Sequence, residues 1–128
     1  MIKIDHIAVY VHDLEPAKDF FEKYFHAHSN ELYHNPKTGL CTYILSFDGH
    51  TCLELMTRPG MIDVGTSAVR CGYIHISFNL GSKQEVDGLT RQLEEDGYRI
   101  LNGPRITGDG YYESCVEGPE GNLVELTI

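Results

Sequence analysis

Gly72-Tyr73-Ile74-His75-Ile76-Ser77-Phe78-Asn79-Leu80 alternates apolar and polar side chains without a break. Ile74, Ile76, Phe78 and Leu80 share one parity; Tyr73, His75, Ser77 and Asn79 share the other. A period of two is that of a β-strand with one face ready for a core. The polar face carries a histidine in its middle. An earlier stretch, Ile4-Asp5-His6-Ile7-Ala8-Val9-Tyr10-Val11, looks like its copy, with Ile7, Val9 and Val11 on one side and His6 on the other. Whether these two strands are counterparts decides the fold.

The segments downstream of the two strands match as well. After the first, about Lys3 to Val11, Asp13 suits an N-cap and Pro16 the first helical turn, where a missing N–H costs nothing. Ala17, Phe20, Phe21 and Tyr24 recur at helical spacing to about Phe25. Two hairpins come next. His28 to His34 and Leu40 to Phe47 flank the turn-forming Asn35-Pro36-Lys37-Thr38-Gly39, and Asp48-Gly49 signals a tight turn into a strand from His50 to Thr57. After the Gly72 stretch, Ser82 and Glu85 form a capping-box pattern. Val86, Leu89 and Leu93 stripe a helix to about Glu95, and Gly97 ends it. Strands are expected at Tyr98 to Leu101, Gly110 to Val116 and Asn122 to Ile128, with loops at Asn102-Gly103-Pro104 and Gly118-Pro119-Glu120-Gly121.

The chain thus reads as an α+β protein of two repeated βαβββ modules, forming a curved mixed sheet or half-barrel with a helix on the outside of each. Module one spans about 1–57 and module two about 72–128; residues 58–71, with Pro59, Gly60 and Gly65 and no clean periodicity, connect them. His75 follows His6 by 69 residues and Glu125 follows Glu54 by 71. Both glutamates close an acidic-Gly turn, a short strand and a Glu-Leu pair.

Composition narrows the function. At 128 residues with 41% hydrophobic side chains, one domain of two modules can bury a real core. A formal charge of −9 argues against nucleic acid and against anionic membranes as partners, since both require clustered Lys and Arg. Cys41, Cys52, Cys71 and Cys115 form no C-x-x-C pair, and no long apolar segment opens the chain. Reduced thiols in a cytoplasmic protein are expected.

Each module offers one His in its first strand and one Glu in its last. Leu53 and Leu55, like Val124 and Leu126, face away from the glutamate between them. Glu54 and Glu125 therefore project from the faces without a core. A lone strand histidine is usually a hydrogen-bonded structural residue, and a lone strand glutamate a solvated one. Matching pairs in two repeats point instead to His6, Glu54, His75 and Glu125 as ligands of one divalent cation. Nitrogen and oxygen donors without thiolate suit Zn, Ni, Co, Mn or Fe(II). His12, His26, His28, His34 and His50 stand outside this pattern and read as surface residues. Tyr111 and Tyr112 are candidates to line a pocket, and Arg58, Arg70 and Arg105 to hold an anionic group; packing aromatics and solvated arginines are the plainer readings.

The residues Asp5-His6-Ile7-Ala8, Leu53-Glu54-Leu55, Tyr73-Ile74-His75-Ile76-Ser77-Phe78 and Glu117 through Leu126 resemble the vicinal oxygen chelate superfamily, the glyoxalase/bleomycin-resistance/dioxygenase fold. The resemblance covers nearly the whole chain. It implies paired βαβββ modules around a metal, commonly completed by a homodimer, with the metal positions at His6, Glu54, His75 and Glu125. The His/Glu/His/Glu set is most similar to glyoxalase I, a lactoylglutathione lyase. That likeness implies a metal-dependent lyase or isomerase acting on a small carbonyl or thiohemiacetal through an enediolate; the quasi-symmetric placement of the two carboxylates points to Glu125 as base and Glu54 as its counterpart for the returning proton. The bacterial glyoxalase I positions for glutathione, four residues after the first His and the first Glu, hold Tyr10 and Arg58 here. These two, with Tyr112, are the candidate substrate pocket. A non-catalytic small-molecule or antibiotic-binding protein, a thiol transferase and an epimerase of the same superfamily are the alternatives.

Overall fold

The computed structural model describes residues 1–65 and 69–128. Residues 66–68, part of the expected connection, lie outside the described residues. The chain divides into two compact units, Met1–Val64 and Gly65–Ile128.

The first unit holds β1 (His6–Tyr10), α1 (Leu14–Phe25), β2 (His28–Ser29), β3 (Tyr33–His34), β4 (Cys41–Ser46) and β5 (Cys52–Thr57). Its sheet runs β1-β5-β4-β2, with β3 also on β4. β1 is parallel to β5, and the other pairings are antiparallel. Alternation decides which face is covered. Leu53, Leu55, Tyr43 and Leu45 are buried, as are Ala17, Phe20, Phe21 and Tyr24 of α1, which packs on β4 and β5. Phe20 meets Phe21 edge to face at 5.1 Å between ring centroids.

The second unit holds β6 (His75–Asn79), α2 (Lys83–Glu95), β7 (Ile100–Ile106), β8 (Tyr112–Glu117), a 3₁₀ turn at Pro119–Gly121 and β9 (Leu123–Thr127). The sheet order is β6-β9-β8-β7, with β6 parallel to β9. Val86 and Leu93 of α2 are buried with Val116, Val124 and Leu126 of the strands it covers. Thr90 and Ser114, both buried, satisfy each other at 2.7 Å. Two helices and two open mixed sheets make this an α+β fold of two βαβββ modules. No helix among the described residues is long and apolar enough to cross a membrane.

Three local expectations differ from the structure. The strand expected from His28 to His34 is two short pieces. Asn30 interrupts it, because its Oδ1 accepts the Ile44 N–H at 2.7 Å and takes over a ladder position. The Asp48-Gly49 turn is a longer connection, residues 47–51, since β5 starts only at Cys52. Asn102-Gly103-Pro104, expected as a loop, lies inside β7. The register with β8 shifts on either side of this segment, and β7 is the sheet edge. Edge strands and bulges are where a proline without an N–H is tolerated. Helix capping also splits. Ser82 Oγ accepts the Glu85 N–H at 3.2 Å, whereas Asp13 occupies the N-cap of α1 without a capping side-chain bond.

Candidate functional site

Register builds each donor pair. In the first unit His6 lies beside Cys52 and Ala8 beside Glu54, so His6 and Glu54 share a face two residues apart along neighbouring strands. In the second, His75 lies beside Leu123 and Ser77 beside Glu125. The outcome is the same in both. His6 Nε2 is 3.5 Å from Glu54 Oε2, and His75 Nε2 is 3.3 Å from Glu125 Oε2. The glutamates are partly buried, because the flanking Leu53 and Leu55, or Val124 and Leu126, turn to the helix.

These separations suit shared metal ligation. Two donors on one ion, each at about 2.0–2.2 Å, sit roughly 3 to 3.6 Å apart. The His6 ring is also oriented: its Nδ1 bonds Asp5 Oδ2 at 2.8 Å, leaving Nε2 for the glutamate side. The Asp5 bond raises the His6 pKa; desolvation opposes the rise, and the Asp5 and Glu54 charges add to it. The donors come as pairs. Among the described residues no group of three or more His, Cys, Asp or Glu side chains is close enough to hold an ion.

The second pair has neighbours that the first lacks. Ser77 Oγ donates to Glu125 Oε1 at 2.9 Å. Glu113, beside Thr127 in the ladder, shares the face of Glu125, and its pKa is raised by burial first and by the neighbouring Glu125 carboxylate second. Cys115 lies directly across from Glu125. Burial, with the charges of Glu125 and Glu113, raises its pKa and keeps it a neutral thiol, a poor ligand and a poor nucleophile. All four cysteines are free. Sequence reading missed Glu113 and Cys115 because their parity acquires meaning only once β8 is paired with β9. The Asp5-His6 adjacency was visible, but not its bond.

The remaining candidates separate. Tyr10 shares the parity of His6 on β1 and is exposed. Arg58 lines a cleft of about 420 Å³ with His12, Gly39, Thr57, Pro59, Gly60 and Met61. His12, expected as a plain surface residue, is exposed but also lines this cleft and bonds Asp63 at 2.7 Å. Tyr112 has the parity of the buried Ser114 and Val116, on the helix side of the sheet, and donates its hydroxyl to Asp87 of α2. That bond raises its pKa, with burial adding to it. Tyr112 is therefore on the face away from Glu125. Arg70 is exposed, and Arg105 stands beside Glu113 in the β7–β8 register.

Comparison with known proteins agrees with this architecture. Residues 3–126 match the model of the Glyoxalase/Bleomycin resistance protein/Dioxygenase superfamily. An uncharacterised Bacillus subtilis protein, YqjT, is 28% identical over 124 residues, 94% of either chain. A glyoxalase family protein of Bacillus cereus superposes with a TM-score of 0.82 at 19% identity, over 99% of this chain and 93% of that one. The trypanothione-dependent glyoxalase I of Leishmania major gives 0.78 at 18%, over 99% and 86%. Two open βαβββ modules and a family match along almost the whole chain lead to one conclusion: the protein belongs to the glyoxalase/bleomycin resistance protein/dioxygenase superfamily.

Proposed function

We propose that the protein is a metal-dependent lyase or isomerase of glyoxalase I type, acting on a small carbonyl or thiohemiacetal, with His6, Glu54, His75 and Glu125 as the ligands of one divalent cation. The observation that carries this is the repetition of one His–Glu geometry, 3.5 and 3.3 Å, in the two units. A full set of four donors needs both pairs, and we assign their union to a homodimer. β1 and β6 are edge strands of their sheets, and Ile7 on β1 and Ile74 just before β6 remain exposed, as expected of strands awaiting a partner. Nickel, zinc, cobalt, manganese and iron(II) all suit the donor types. Four free thiols fit a cytoplasmic setting.

A cation held there would polarise the substrate's neighbouring oxygens and lower the barrier to losing the adjacent proton. Glu125 takes that proton, and Glu54, its quasi-equivalent, returns one to the neighbouring carbon. Tyr10 lies on the donor face, and Arg58, which has no ion-pair partner among the described residues, receives an acidic group of the substrate.

Metal analysis of the purified protein, followed by ultraviolet assay of methylglyoxal with a panel of thiols, tests the activity. A metal-free, inactive protein that still binds small molecules would establish the binding-only alternative. For Glu125, solvent deuterium exchange into substrate is measured in Glu125→Gln with metal content confirmed; undiminished exchange removes it from the role.

A further inference from the structure

We propose that Ser77 is a positioning residue for Glu125: its hydroxyl anchors one carboxylate oxygen and leaves the other to serve the cation and the proton. The inference rests on the reading of Glu125 as a ligand given above. Its warrant is that the two oxygens already have different partners. Ser77 Oγ holds Oε1 at 2.9 Å, while Oε2 faces His75 Nε2 at 3.3 Å. The contact follows from register, because Ser77 is the residue directly beside Glu125 on the neighbouring strand.

The first unit supplies the contrast. Its register places Ala8 beside Glu54, and a methyl group donates nothing. Among the described residues Glu54 contacts only His6 through its carboxylate. Two pairs with nearly the same His–Glu separation therefore differ, at the position directly beside the glutamate on the neighbouring strand, by one hydroxyl. A glutamate side chain has several rotatable bonds whose freedom is lost on ligation. Anchoring Oε1 beforehand removes part of that loss and holds Oε2 in place, as outer hydrogen bonds to metal ligands generally do. The competing view is that Ser77 is an ordinary strand serine satisfying its hydroxyl on the nearest acceptor. It predicts no effect on metal binding.

The test uses the full-length protein loaded with Co(II), with affinity measured by chelator competition and coordination by visible absorption. Ser77→Ala is expected to weaken Co(II) binding about tenfold or more and to alter the absorption bands. Ser77→Thr, which keeps the hydroxyl, is expected to restore both. Ala8→Ser offers Glu54 the same anchor and is expected to tighten binding. Circular dichroism confirms folding of each variant. Wild-type affinity and spectrum in Ser77→Ala, or a Thr variant as weak as the Ala one, overturns the proposal and leaves the donor pairs standing. A wild-type protein that takes up no Co(II) overturns both.

Discussion

Glu54 and Glu125 each stand between two buried apolar neighbours, and that placement makes them available. A strand cannot turn Leu53 and Leu55 into the core without turning Glu54 out of it. Removing the carboxylate charge should then cost the site and not the fold. Glu54→Gln is expected to lower metal affinity at least tenfold with a melting temperature near wild type, measured by chelator competition and calorimetry. Arg58 is a separate case because it lines a cleft whose walls include none of the four donors. A hydrogen bond to a charged group contributes about 1.5–3 kcal/mol, so Arg58→Gln is expected to raise KM for an acidic substrate by roughly tenfold or more with little change in kcat. Equal KM values would remove Arg58 from the substrate site.

The two helices present the same apolar stripe to their sheets, yet they begin differently. Ser82 satisfies an orphan N–H of α2 and Asp13 does not do so for α1. Ser82→Ala is expected to cost about 1 kcal/mol in urea unfolding. In β7 the bulge depends on Gly103. Its φ is +81°, and an added Cβ would stand 2.4 Å from the Glu113 carbonyl oxygen and 2.8 Å from Ser114 Cα. Backbone cannot give way as a flexible side chain would. Gly103→Ala is therefore expected to destabilise by about 1–3 kcal/mol. The disturbance would fall on β8, next to Glu113, and loss of Co(II) affinity in parallel would tie the bulge to the donor face.

For the whole molecule the decisive quantity is metal stoichiometry. If the two donor pairs share an ion, the protein binds one per chain, and His6→Ala and His75→Ala each abolish tight binding. If each pair acts alone, a single variant keeps the metal held by the other pair. Equilibrium dialysis with metal analysis separates the two outcomes, and light scattering on the same samples reports whether the loaded species is a dimer.

Much of this protein was legible before any coordinates. Alternation around His75, repeated around His6, and the Glu-Leu endings placed the main strands and showed which face each His and Glu takes, because burial on one face of a sheet imposes a period of two that can be counted along the chain. Strand ends and interruptions were less legible: Asn30 and Pro104 act through hydrogen bonds to, or freedom from, a neighbouring strand that the local sequence does not name. Ser77, Glu113 and Cys115 became part of the Glu125 surroundings only through pairing of β6, β8 and β9. Tyr112, a pocket candidate from its place near the seventh expected strand, donates its hydroxyl to Asp87 of α2. Which side chains share a face follows from alternation along the chain; which of them meet depends on the folded sheet, because register between strands is set by the packing of the whole sheet on its helix.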